Sequence, residues 1–320
     1  MANTIDWGKA TQNNTNGFGK YQNTINAGDI YEDSWAGETA LIGTSAAFSY
    51  SKSSYHQDEA DPTPTITGTT GGSFVCTSGA IFVDTGSTSS STGQIDLDAS
   101  TIDTHLISYT VGGVTATANV GITASPYLDN TYSMDFDAAS SNYIQAGNNL
   151  LGSTFTISMW FNADSYPSTN PTLISQFSSG ISGRFFIGVR DNGGRKITAF
   201  LNAHNYGSTV INTGAWYHLA LVNDNNTATL YLNGSVDGNF TFPTSVLNTD
   251  TLIGTLSASS NPWDGKIDEV AIWNTALGET AVTEIYNATN NNTGKALDLS
   301  TDSGNYTSSS NLQYWNRLGD

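Results

Sequence analysis

Asp268 and Glu269, in Gly265-Lys266-Ile267-Asp268-Glu269-Val270, are the acids of this chain that sit together on a strand-like segment. Two carboxyl groups flanking one glycosidic bond can hydrolyse it, one as acid and the other as nucleophile or base. Neighbouring strand residues point to opposite faces, so these two are expected to lie apart and to serve the strand's structure. The histidines His56, His105, His204 and His218 are widely spaced, and no His-Glu-x-x-His places two of them on one helix face for zinc. His218 lies in the run Trp216-Tyr217-His218-Leu219-Ala220 and reads as a core residue. The single cysteine, Cys76, excludes an internal disulfide or thiolate cluster. In Ser73-Phe74-Val75-Cys76 it alternates like a strand and reads as a small buried hydrophobe rather than a nucleophile. Neither a Gly-x-Ser-x-Gly elbow nor a phosphate-cradling loop occurs. The expectation is a protein that is not an enzyme.

Binding chemistry has better candidates. A sugar site needs an exposed aromatic for stacking and amide or carboxylate groups for the hydroxyls. His204, Asn205 and Tyr206 follow a strand-like run and read as a loop; Trp263 and Asp264 fall just before another, in Asn261-Pro262-Trp263-Asp264. Both segments are glycan-binding candidates, with a packing role open as the alternative for Trp263. Ca²⁺ takes six to eight oxygen ligands, which these oxygen-rich loops could supply. Asp164 and Asp191 are acids near loops, either calcium ligands or solvated turn residues, so the metal is left open.

The composition narrows the classes. Ten Lys and Arg face 28 Asp and Glu, a net charge of −18, and no cation occurs between Lys52 and Arg184. Nucleic-acid binding needs clustered cations to displace phosphate counterions, so it is excluded. An anionic membrane would repel the chain, and no run of about 20 apolar residues is present to span one. The N-terminus has no cationic start followed by an apolar run, and reads as no secretory signal. Charged residues make up only 12%, polarity coming instead from Ser, Thr, Asn and 32 Gly. Such residues favour strands and turns over helices.

The elements divide the chain into four parts. Residues 1–60 carry a short repeat: Asn3-Thr4-Ile5-Asp6-Trp7-Gly8-Lys9 returns as Asn14-Thr15-Asn16-Gly17-Phe18-Gly19-Lys20, and more weakly at Asn23–Asp29. A unit this short cannot bury its own aromatic. Trp7, Phe18, Tyr21, Tyr31 and Trp35 are therefore candidates for attachment or oligomerisation, the alternative being an arm that folds back on its own chain. Residues 61–124 hold six or seven short alternating segments separated by turn signals such as Gly71-Gly72 and Gly112-Gly113, the pattern of a small β-sandwich. Residues 125–287 alternate more strongly, as in Thr154–Phe161, with hairpins turning at Asp191–Gly194 and Asp224–Asn226. Glu279–Ala288 reads as a helix with Ala281, Val282, Ile285 and Tyr286 on one face. Residues 288–320 form an Asn/Ser/Thr-rich tail whose terminal aromatics dock on the preceding domain or on another chain.

Several ordered motifs of the third part carry a family resemblance. Met134-Asp135-Phe136-Asp137, Phe155–Trp160, Trp216–Ala220, Leu230-Tyr231-Leu232-Asn233-Gly234, Gly265–Trp273 and the helix with Glu284-Ile285-Tyr286 together resemble the laminin G-like, concanavalin A-like jelly roll. The resemblance implies two curved antiparallel sheets packed face to face. Domains similar to this bind glycans, proteins or calcium, and some are enzymes. The family's glucanase pattern Glu-x-Asp-x-x-Glu is absent. Residues 61–124 resemble the Ig-like modules of bacterial and phage surface proteins, and the N-terminal repeat resembles segments of marine phage structural proteins. The expected fold is thus all-β: an extended arm, a small Ig-like β-sandwich and a jelly roll. The expected function is that of a non-enzymatic phage virion surface protein, a fibre, appendage or capsid decoration made in the bacterial cytoplasm. Its arm would join capsid or tail proteins as a homotrimer, and its jelly roll would meet a host-surface glycan. The alternative is a bacterial cell-surface or secreted carbohydrate-binding or adhesion module.

Overall fold

The computed structural model describes residues 3–6, 22–25, 44–177, 184–201, 203–241, 249–258, 260–291 and 294–320. Trp7, Phe18, Tyr21, Tyr31 and Trp35 lie outside the described residues; near them in sequence, Asn3–Asp6 and Gln22–Ile25 pair as antiparallel strands. The chain divides into two compact units, Met1–Ser125 and Pro126–Asp320.

The N-terminal unit is built on the hairpin of Asp103–Val111 and Val114–Thr123. Its turn, Gly112-Gly113, has both residues at positive φ, 54° and 80°. That is the two-residue geometry that matches strand twist and that glycine adopts without strain. Ser73–Cys76 extends the sheet on one side, and Ser54–His56 adds a parallel strand on the other. The unit therefore starts earlier than residue 61, because Tyr55 belongs to its core. Phe74, Tyr109, Phe82, Ile95, Ile107 and Val120 fill that core, with the Phe74 and Tyr109 rings 4.5 Å apart. Cys76 and His105 are buried there; the His105 nitrogens face the Thr101 carbonyl at 2.7 Å and the Ser78 hydroxyl at 3.2 Å.

The C-terminal unit is layered. Among the described residues, one sheet has seven strands: Met134–Phe136, Gly265–Trp273, Thr154–Ala163, Trp216–Asp224, Thr227–Leu232 and Ser235–Thr241 in spatial order, with Leu312–Asn316 also paired to Gly265–Trp273. The other has six: Ile144–Asn148, Asp250–Ile253, Thr172–Gln176, Phe185–Asp191, Arg195–Leu201 and Ala203–Val210. Phe155, Ile157, Met159 and Phe161, every second residue of one strand, meet Phe185, Ile187, Val189 and Ile197 of the facing sheet in the main core.

The seven-stranded sheet is covered on its other face as well. The helix Glu279–Asn291 lays Ala281, Val282, Ile285 and Ala288 over Ala220, Val222, Ala271 and Trp273, an apolar stripe at helical spacing. Tyr286 stacks on Trp160 with ring centres 5.7 Å apart. Residues 288–320 complete this layer instead of standing apart. Lys295–Leu297 pairs with Tyr127–Asp129, and Tyr306, fully buried, accepts a 2.9 Å hydrogen bond from the Trp273 indole. Among the described residues no helix is long and apolar enough to cross a membrane.

Candidate functional site

The acids at 268 and 269 depart from strict alternation. Met159 stands opposite two residues, Glu269 and Val270, and Glu269 takes a φ of 49°. This β-bulge inserts one extra residue. Ile267 and Val270, three positions apart, both enter the main core, and Asp268 and Glu269 both fall on the helix side of the sheet. The expectation that they face opposite ways is therefore corrected. Neither is open to a substrate. Both are buried, Glu269 accepting hydrogen bonds from the Trp315 indole at 2.7 Å and from Arg317 at 3.1 Å. Desolvation first, then the Glu269 charge, raises the Asp268 carboxyl to about 7. His218 lies under the same helix, its Nε2 2.8 Å from the Ser158 hydroxyl, and burial lowers it to about 3. The bulge and His218 thus form a sealed polar seam between sheet and helix.

While the helix layer covers the seven-stranded sheet, the six-stranded sheet has an outer face of its own. Strand register sets out that face in rows, since directly opposed residues share a side. Phe186, Phe200 and His204 form one row; Gly188, Thr198 and Tyr206 form the next; Arg190, Lys196 and Val210 form the third. The aromatics make a continuous chain of contacts: Phe186 stacks on Phe200 at 5.0 Å, Phe200 meets His204 edge-on at 4.8 Å and His204 stacks on Tyr206 at 5.8 Å. Phe186 is buried, while Phe200, His204 and Tyr206 are half-buried. The Thr198 hydroxyl fixes the histidine through Nδ1 at 3.0 Å. Burial, then the Arg190 guanidinium, holds His204 below its ordinary range.

His204, Asn205 and Tyr206 are thus brought together, but on the edge strand Ala203–Val210 and not in a loop. Asn205 opposes Ala199 in the ladder and directs its amide to the Ala199 carbonyl at 3.4 Å, so it braces the edge. Trp263 is placed elsewhere. It is fully buried in the main core, edge-on to Phe161 at 5.7 Å, which corrects its candidacy for sugar stacking. Asp264 ties loops together, accepting from the Ser165 hydroxyl at 2.5 Å and the Ala138 amide at 3.2 Å. Asp164 is exposed in a bend and Asp191 is exposed at the end of the strand Phe185–Asp191, and among the described residues no group of three or more His, Cys, Asp or Glu is disposed to hold a metal. Phe186 and Phe200 were missed from sequence because each belongs to an apolar run that reads as core throughout; their contribution appears only once the hairpin register is set.

Residues 137–283 match the model of the concanavalin A-like lectin/glucanases superfamily, laminin G type. That stretch is a laminin G-like, concanavalin A-like jelly-roll domain, as its two packed antiparallel sheets show. Among solved structures, the chain is similar to a candidate carbohydrate-binding protein from Bacteroides ovatus at 16% identity, with a TM-score of 0.52 over 84% of this chain and 88% of that one. That coverage exceeds what the C-terminal unit supplies by itself. Weaker likenesses include domain 4 of AbnA, an extracellular arabinanase from Geobacillus stearothermophilus, in complex with arabinotriose (17% identity, TM-score 0.36, 59% of this chain and 83% of that one). Another is the CBM40 of a Ruminococcus gnavus sialidase bound to sialyllactose (11% identity, TM-score 0.39, 49% and 97%). No curated protein matches the sequence.

Proposed function

We propose that this protein binds carbohydrate, without turnover, through the outer face of the six-stranded sheet. The observation that carries the reading is the half-buried cluster of Phe200, His204 and Tyr206 on the sheet, His204 stacked on Tyr206 and edge-on to Phe200, anchored by Phe186 and Thr198. Sugar rings present apolar C–H faces to aromatic rings and hydroxyls to neighbouring polar groups, and this face offers both. The carbohydrate-binding role assigned to the Bacteroides ovatus relative supports the same reading. A binding role without catalysis is supported by the acids at 268 and 269, which lie beneath the helix layer on the far side of the molecule's other sheet.

Carbohydrate binding does not require a virion. The virion-surface reading hangs on the aromatic-glycine repeat, whose aromatics lie outside the described residues, and the similarity to a carbohydrate-binding protein favours a bacterial surface or secreted carbohydrate-binding module over it. The test is affinity electrophoresis of the full chain through gels containing a panel of polysaccharides. Retardation by one polysaccharide is expected, with Tyr206→Ala and His204→Ala each weakening it by roughly tenfold through lost stacking area. Retardation that survives both substitutions, with thermal stability unchanged, would place the site elsewhere.

A further inference from the structure

Cations are scarce in this chain, and their placement is uneven. The described residues hold eight Lys and Arg, of which Arg184, Arg190, Arg195 and Lys196 fall within one hairpin region of the six-stranded sheet. The other four are each paired with a carboxylate: Lys52 with Glu59, Lys266 with Asp135, Lys295 with Asp129, and Arg317 with Glu269 and Asp320. Among the described residues no carboxylate pairs with any of the hairpin four. Arg190 donates to the Asn170 side-chain oxygen at 2.5 Å. Arg195 donates to the Ser168 carbonyl at 3.4 Å and lies over the Tyr166 ring. Arg184 lies over the Phe177 ring.

Arg190 and Lys196 are direct cross-strand partners on the outer face, one row from Tyr206. Like charges directly opposite each other destabilise a sheet. In a chain of net charge −18, carboxylates to neutralise them were plentiful, yet among the described residues their row holds none; the neighbouring Asp191 opposes Arg195 on the other side of the strand. Both side chains are half-buried, so their charges are screened less than those of free surface lysines. Asn170 holds the guanidinium of Arg190 in place without neutralising it. What this arrangement lacks is an anion, at a fixed distance from a surface for a sugar ring.

We propose that the carbohydrate bound on this face is acidic, its carboxylate or sulfate seated between Arg190 and Lys196 while a neighbouring ring packs on His204 and Tyr206. The inference rests on the carbohydrate-binding reading and sharpens it to a ligand class. An arginine supplies a planar fork of donors and a lysine a point charge, a combination that holds either kind of oxyanion.

The test is titration calorimetry of the full chain with three oligosaccharide probes: oligogalacturonate (carboxylated), a heparin hexasaccharide (sulfated) and cellohexaose (neutral). Binding of an acidic probe is expected, with the carboxylated and sulfated arms identifying the anion. It should weaken roughly tenfold or more in Lys196→Gln and in Arg190→Gln, as loss of a charge-assisted hydrogen bond implies. It should stay unchanged in Lys52→Gln, and raised salt should weaken it in the wild type more than in either hairpin variant. Among the described residues Lys196 makes no side-chain hydrogen bond or ion pair, so its variant remains informative even if Arg190→Gln disturbs the Asn170 loop. Neutral binding as tight as acidic binding, or acidic binding unchanged in both hairpin variants, overturns the inference and leaves the carbohydrate reading standing. An equal loss in Lys52→Gln also overturns it, since the attraction would then be a general charge effect. Binding of no probe counts against both.

Discussion

Asp268 and His218 lie under the same helix and pull stability in opposite directions with pH. Asp268 has its carboxyl raised from 3.8 to about 7 in the folded protein. The folded state therefore holds this proton when the unfolded chain has lost it. The contribution is fully present below about pH 4 and is lost as pH rises to about 7. At 1.36 kcal/mol per pH unit this amounts to at most about 4 kcal/mol. His218 is lowered from 6.5 to about 3, so the unfolded chain takes up a proton that the folded one refuses. Its contribution is present above about pH 6.5 and is lost as pH falls towards 3, by a similar amount. Between about pH 4 and 6.5 the two slopes cancel. Asp268→Asn breaks the balance, since an asparagine oxygen can still accept the Glu269 amide that Asp268 holds at 2.8 Å. The variant should match wild type near pH 4 and exceed it by up to about 4 kcal/mol above pH 7. For a unit of this size that is roughly 8–16 °C in Tm. Urea unfolding of the full chain, followed by tryptophan fluorescence, reads it well, because Trp160, Trp216, Trp263, Trp273 and Trp315 all lie in the C-terminal unit. A difference between variant and wild type that stays constant from pH 4 to 8 would refute the assignment of the raised carboxyl to this bulge.

Three further outcomes are expected. Gly254 has a φ of 86°, and a Cβ there would fall 2.4 Å from the Phe136 ring, so Gly254→Ala should cost roughly 2 kcal/mol or more by chemical denaturation. Cys76 is fully buried, and its thiol should resist a disulfide reagent in the native protein and react completely in denaturant; rapid native labelling would contradict the packing of the N-terminal unit. If Trp7, Phe18, Tyr21, Tyr31 and Trp35 drive assembly, light scattering should give a homotrimer for the full chain and a monomer for a chain starting at residue 44. A monomeric full chain at micromolar concentration removes that role from the arm.

Much of the architecture was legible because strand periodicity is local. Thr154–Phe161 alternates without a break, and the structure has a strand at Thr154–Ala163 with Phe155, Ile157, Met159 and Phe161 inward. The hairpin turning at Asp191–Gly194 and the turn at Gly112-Gly113 announce themselves by residue type. The bulge did not, because only a positive φ at a glutamate breaks the alternation there, and no residue type signals it. Ser54–His56 was assigned to the arm because its partner, Gly121–Thr123, is far along the chain. The strand Leu312–Asn316 reads as tail for the same reason: its pairing with Val270–Trp273 crosses about 40 residues and leaves no local pattern. His204 and Tyr206 were picked out for their chemistry, yet their place on an edge strand, the edge-on contact of His204 with Phe200 and the approach of Arg190 all depend on register.

The layering explains why the binding face falls on one sheet and not the other. A sheet exposes a face to ligand only if nothing else needs that face for burial. On the seven-stranded sheet the outward positions include Ser158, Trp160, Ala220, Val222, Ala271 and Trp273, and this largely apolar face demands a cover that the helix and the C-terminal strands provide. On the six-stranded sheet the outward positions are Thr172, Ser175, Phe186, Gly188, Arg190, Lys196, Thr198 and Phe200. Here small and polar residues alternate with aromatics, and loops cover parts of the face, Ser175 donating to the Thr255 carbonyl at 2.8 Å and Arg190 to the Asn170 side chain at 2.5 Å. The half-buried Phe200, His204 and Tyr206 thus share this face with the half-buried Arg190 and Lys196, with which, among the described residues, no carboxylate pairs. Grafting a carboxylate beside them tests this logic. In Val210→Glu the new side chain would share a row with Arg190 and Lys196, supply the missing anion from within and compete with an acidic ligand. Binding should weaken by roughly tenfold or more while stability holds or rises. If Val210→Glu left acidic binding intact, the cation pair would not be where the ligand sits.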